Sequence, residues 1–73
     1  MKKQEYLQAF GARLRELRLQ KKLSQEDLAE ASGLDRTYVS SCERGNRNIS
    51  LLNISKLAKA LGLDPAELLK KLT

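Results

Sequence analysis

Apolar residues recur along the chain at helical spacing. Phe10, Leu14 and Leu17 fall at i, i+4 and i+7, with Arg13, Arg15 and Glu16 on other faces, which predicts an amphipathic first helix over about 4–21. Lys21 and Lys22 close it with the charge that suits the negative end of a helix dipole. Ser24 is an N-cap candidate followed by Glu26 and Asp27, and Leu28, Ala29 and Ala31 supply the apolar side of a second helix over 25–32. Gly33 stops it, because a residue without Cβ takes the left-handed backbone at little cost. Asp35 opens a third helix over 36–44 that buries Val39 and Cys42, and Gly45 ends it. Past the polar segment 46–49, Ser50 caps a fourth helix with Leu51, Ile54, Leu57, Ala58 and Leu61 inward, stopped by Gly62. Asp64, Pro65 and Glu67 are an N-cap, a first-turn proline and a capping-box acid, predicting a fifth helix over 65–72. No alternating strand pattern, repeat or linker interrupts this, so the expectation is an all-α, five-helix single domain over residues 1–73.

Length and composition narrow the picture. A chain of 73 residues buries a smaller share of its surface than a larger domain, so its stability should be modest. One cysteine, Cys42, and no histidine exclude an intrachain disulfide and a zinc cage, and Cys42 reads as a small buried hydrophobe. No metal, cofactor or small-molecule ligand is expected. The start lacks a secretory signal and no apolar run approaches a membrane span, so a soluble, cytoplasmic protein is expected. The net charge is +5, with +5 over residues 1–23, −3 over 24–34, +1 over 35–50 and +2 over 51–73. Such a balance favours a polyanionic partner, although lysine-rich surfaces such as Lys2, Lys3, Lys21 and Lys22 are commonly only solvated.

Two short helices joined by a tight Gly-containing turn, about 25–44, form a helix-turn-helix pattern. The third helix has Val39 and Cys42 to bury, and its opposite face offers Arg36, Thr37, Ser40, Ser41 and Arg44. Short donors and acceptors between arginines suit base edges better than a solvated face, where Glu and Lys are more usual. Arginine pairs in two parallel bonds with guanine, and the threonine methyl can meet that of thymine. Arg36 lies in the first turn, the part of a recognition helix that meets bases.

The stretch from Leu23-Ser24-Gln25-Glu26-Asp27-Leu28-Ala29 through Glu43-Arg44-Gly45, with the later Leu57-Ala58-Lys59-Ala60-Leu61-Gly62, resembles the Cro/repressor-type helix-turn-helix family over about residues 8–70. Asp35 to Ser40 together with Glu43 to Ser50 resembles the family's restriction–modification controller proteins, and Asn48-Ile49-Ser50 fits that subgroup where the wider family usually has proline before the serine. The resemblance implies a lambda-repressor-like fold and a homodimeric DNA-binding regulator. It implies base contacts from Arg36, Thr37 and Ser41, assisted by Ser40. Phosphate contacts are implied from Gln25, Arg44, Asn46, Arg47 and Asn48, with Tyr38 either touching the backbone or packing. Arg18 and Glu43 correspond to an internal ion pair. Cys42 stands where a branched aliphatic is usual.

The leucines near the C-terminus exceed what a small core needs, so Leu52, Leu63, Leu68 and Leu72 are candidates for a dimer interface within about 52–72. Three other functions compete with this one. An enzyme lacks histidine, a Gly-rich phosphate loop and any assembled acid–base site. An antitoxin would bind both its operator and a partner toxin. A protein-interaction module on the same fold would show no salt-dependent DNA binding.

Overall fold

The computed structural model describes residues 2–72, and within them the chain is all-helical. Helix α1 spans Lys3–Gln20, α2 Gln25–Ser32, α3 Arg36–Glu43, α4 Leu51–Leu61 and α5 Pro65–Leu68. Side chains close most of the helix starts. Ser24 and Asp27 form a reciprocal capping box, with Asp27 N donating to Ser24 Oγ at 2.9 Å and Ser24 N to Asp27 Oδ2 at 3.0 Å. Asp35 accepts from Thr37 N, Ser50 from Asn53 N, and Asp64 from Ala66 N. Each cap stabilises its helix by about 1 kcal/mol. Gly33 and Gly62 end α2 and α4 in the left-handed region, at φ 74° and 70°.

The helices close round one core of Phe10, Leu14, Leu17, Leu28, Ala29, Val39, Cys42, Ile54, Leu57, Ala58, Leu61 and Leu68. Helix α1 packs on α3 and α5, α2 on α3 and α4, and α4 on α5. Helices α1 and α3 cross at close range. A Cβ at Gly11 would overlap the carbonyl oxygens of Cys42 and Glu43, so only glycine lets the two backbones approach this closely.

Four expectations are corrected. Helix α5 holds one turn rather than two: its end, Leu69, turns back onto Ala66 O, and Lys71 takes φ 65°, a left-handed residue that a continuing helix excludes. That turn seats Leu68 in the core with no exposed surface, so Leu68 is not available to a second copy. Leu51 is 77% exposed, because as the first helical residue of α4 it lies ahead of the stripe that begins at Ile54. Ala31 is likewise exposed, leaving Leu28 and Ala29 as the buried side of α2.

Candidate nucleic-acid interface

The turn between α2 and α3 is only Gly33, Leu34 and Asp35. Leu34 N donates to Ala29 O at 3.0 Å, which closes α2 and fixes the angle at which α3 leaves. Val39 and Cys42 on α3 are fully buried, and this anchoring turns Arg36 and Thr37 outward into solvent. Arg36, Thr37, Ser40 and Arg44 line a shallow concavity with Gln25 at its edge.

A buried ion pair sets where α3 lies. Arg18 on α1 grips Glu43 on α3 with two hydrogen bonds, Nε to Oε2 at 2.6 Å and Nη2 to Oε1 at 3.0 Å. The two side chains are only 8% and 3% exposed. The third arm of the guanidinium donates to Leu23 O at 2.8 Å, tying in the turn before α2. Glu43 Oε1 also accepts from Gln25 Nε2 at 3.0 Å. One carboxylate therefore links α1, α2 and α3, and every buried side-chain nitrogen and oxygen among the described residues has a partner. The hydrogen bond to Glu43 pushes Arg18 above its already high ordinary value, against the opposing effect of burial.

The sequence candidates divide by position. Arg36 and Thr37 are exposed on the outer face of α3, and Ser40 is half-buried beside them. Ser41 is 8% exposed, its Oγ accepting from Arg44 Nη2 at 3.4 Å where the 44–46 turn folds back and Asn46 N donates to Ser41 O. Arg44 Nη1 donates to Ser40 Oγ, which steers that guanidinium along the helix. Asn46, Arg47 and Asn48 are exposed on the loop that follows. Among the described residues no carboxylate pairs with Arg36, Arg44 or Arg47, so none of these three cations is neutralised by a neighbouring acid. Gln25 sits at the start of α2, with one amide hydrogen committed to Glu43.

Tyr38 is half-buried between α3, the loop and α4. Its hydroxyl accepts from Asn53 Nδ2 at 3.0 Å, and the Arg47 guanidinium lies 5.2 Å over its ring. Burial pushes the Cys42 thiol up, with smaller opposing effects from the Tyr38 hydroxyl and the Arg47 charge, so it stays a neutral packing group at neutral pH. Two residues that shape this surface, Gly11 and Asn53, lie outside the candidates the sequence offers. Gly11 could have been found as a glycine inside a helical pattern, whereas nothing in the periodicity points to Asn53. Among the described residues no cluster of three His, Cys, Asp or Glu could hold a metal ion, and no helix is long and apolar enough to cross a membrane.

Comparison with known proteins is consistent with this geometry. A family model described as helix-turn-helix matches residues 14–68. Control protein C.BamHI of Bacillus amyloliquefaciens is 54% identical over 61 residues, which are 82% of this chain and 75% of that protein. The crystal structure of the restriction–modification controller protein C.AhdI from Aeromonas hydrophila superposes with a TM-score of 0.84 at 64% identity, covering 85% of this chain and 94% of that one. The controller protein C.Esp1396I, solved as a tetramer in complex with its natural 35 base-pair operator, superposes with a TM-score of 0.83 at 34% identity, covering 92% and 88%. The chain belongs to the Cro/repressor-type helix-turn-helix family, and it resembles the restriction–modification controller proteins within it.

Proposed function

We propose that this chain is a cytoplasmic, sequence-specific regulator of transcription that binds double-stranded DNA as a homodimer on a palindromic operator, and that it controls its own restriction–modification operon. The observation that carries this is the outer face of α3: Arg36 and Thr37 are exposed with Ser40 half-buried beside them, on a helix whose other side is locked by Val39, Cys42 and the Arg18–Glu43 pair. Helix α3 enters the major groove, where Arg36, Thr37 and Ser41 read bases and Ser40 assists. Gln25, Arg44, Asn46, Arg47 and Asn48 hold phosphates, which set register and affinity rather than sequence. Residues 25–44 are the reading unit of one DNA-binding domain, and no catalytic role is assigned.

The second copy docks near the α4–α5 end. Leu52 is 63% exposed and Leu69 is exposed on the turn after α5, while Leu63 and Leu72 are half-buried against the core, and these are the leucines offered to the second copy. A two-fold pair places its recognition helices ~34–36 Å apart, one turn of DNA. The named relatives are control proteins, and this favours operator binding over the antitoxin reading. A 35 base-pair operator bound by a tetramer of C.Esp1396I has room for two such dimers, so occupancy of adjacent sites is the proposed switch between outcomes.

Selection of bound sequences from a random DNA pool at moderate salt tests the reading. A palindromic site of about one to two turns is expected. No enrichment by folded protein overturns it in favour of a partner-dependent or purely protein-binding role. On the selected site Arg36→Ala should cost about 1–3 kcal/mol and relax base preference. An equal loss on random DNA would remove Arg36 as a base-reading residue.

A further inference from the structure

We propose that Asn53, outside the helix-turn-helix, is a positioning residue for DNA binding that acts through Tyr38 on Arg47. The proposal rests on the operator-binding reading above. Arg47 lies on the open stretch between α3 and α4, where no helix restrains it. An arginine there has many rotamers to lose when it meets a phosphate, and that loss weakens binding unless the side chain is held beforehand.

The structure supplies the restraint in two steps. The guanidinium stacks 5.2 Å over the Tyr38 ring, within reach of cation–π attraction. The ring itself is fixed at both ends: its Cβ is on α3, and its hydroxyl accepts the Asn53 amide of α4 at 3.0 Å. Because that amide is a donor, it uses an acceptor position of the phenol oxygen and leaves the ring face to the cation. Recognition helix, loop arginine and α4 are thereby joined by side chains alone. Asn53 suits this task because its backbone N–H is already satisfied by Ser50 Oγ, so its side chain can change without opening the cap of α4. Alanine is also the better helix former, so Asn53→Ala is expected to fold.

The test uses the palindromic site selected by the wild-type protein and measures its affinity over a series of salt concentrations, with thermal melts confirming that each variant is folded. Asn53→Ala should weaken binding about two- to tenfold, as expected when one long side chain must be ordered on binding. It should also make the plot of log affinity against log salt shallower by up to about one unit, in the direction of Arg47→Ala, because the lost contact is to phosphate. In Tyr38→Phe or Arg47→Ala backgrounds Asn53→Ala should have no further effect. Wild-type affinity and salt slope in Asn53→Ala overturn the positioning role alone. The same loss persisting in both backgrounds, with an unchanged slope, overturns it in favour of a purely structural residue. Failure of the wild-type protein to bind any selected site overturns the operator-binding reading and this role with it.

Discussion

The α1–α3 crossing and the α4–α5 end use charge in opposite ways. At the crossing, Gly11 lets two backbones meet, and Arg18 and Glu43 are sealed between them with every polar arm engaged. At the other end, α5 and the turn after it are tied back to α1 by Arg13, whose Nε donates to Glu67 O at 2.8 Å and whose Nη2 pairs with Glu67 Oε1 at 3.4 Å, and by the solvated Glu16–Lys71 pair, while Arg13–Glu16 and Glu67–Lys70 are local pairs with partly solvated partners. A sealed pair must be complete, since removing one member strands a charge in the interior. A solvated set is screened by water and salt, and its members can be lost singly at little cost. The surface proposed to read DNA is thus carried beside the sealed pair, and the surface proposed to meet a second copy beside the solvated set.

The contrast can be broken at several points, from the largest effect to the smallest. Glu43→Ala should destabilise the fold by about 3–5 kcal/mol, because it leaves Arg18 buried without its carboxylate. A thermal melt measures this, and a near-wild-type midpoint would mean that water replaces the partner. Leu68→Ala should cost about 2–5 kcal/mol, since this leucine is fully buried although it sits on a one-turn helix. A loss well below that range would make α5 a dispensable flap. Leu52→Lys should leave the melting of the monomer nearly unchanged but shift sedimentation toward monomer, and an unchanged dimer would exclude the Leu52 face. Acid gives the smallest effect. Hydrogen bonds from Ser24 hold the Asp27 carboxyl below the ordinary carboxylate range, as Arg13 does for Glu16 and Lys70 for Glu67. A lowered folded-state value means the contribution is complete above the ordinary range and disappears as pH falls through the lowered value. The melting temperature should therefore decline gradually below about pH 4, and Asp27→Asn should flatten part of that decline.

Much of the fold was legible because its signals are local. Ser24, Asp35, Ser50 and Asp64 each stand just before an apolar period, and each caps a helix. Gly33 and Gly62 stop helices for a backbone reason that needs no neighbour. Within the candidate site, Arg36 and Thr37 could be placed outward because Val39 and Cys42 must face in. Ser41 could not be placed this way. It lies beside Cys42 on the boundary of the buried arc, and the return of the chain at Asn46 decided its burial. The Arg18–Glu43 pair became visible in the sequence only through family resemblance, since 25 residues separate its members.

The C-terminal leucines mark the limit most clearly. Spacing alone predicts α5 through Leu72, but Leu68 is drawn fully into the core and the chain then turns, with Lys71 left-handed and Leu69 exposed. The sequence by itself determined where helices begin and stop and which face of α3 carries arginine and threonine, because caps, glycines and periodicity act within a few residues. The tertiary structure alone decided the closeness of α1 to α3 at Gly11, the burial of Ser41 and Leu68, and the meeting of Asn53, Tyr38 and Arg47. Those depend on how elements distant in the chain divide a small interior, and burial and hydrogen bonding are settled only once that packing is complete.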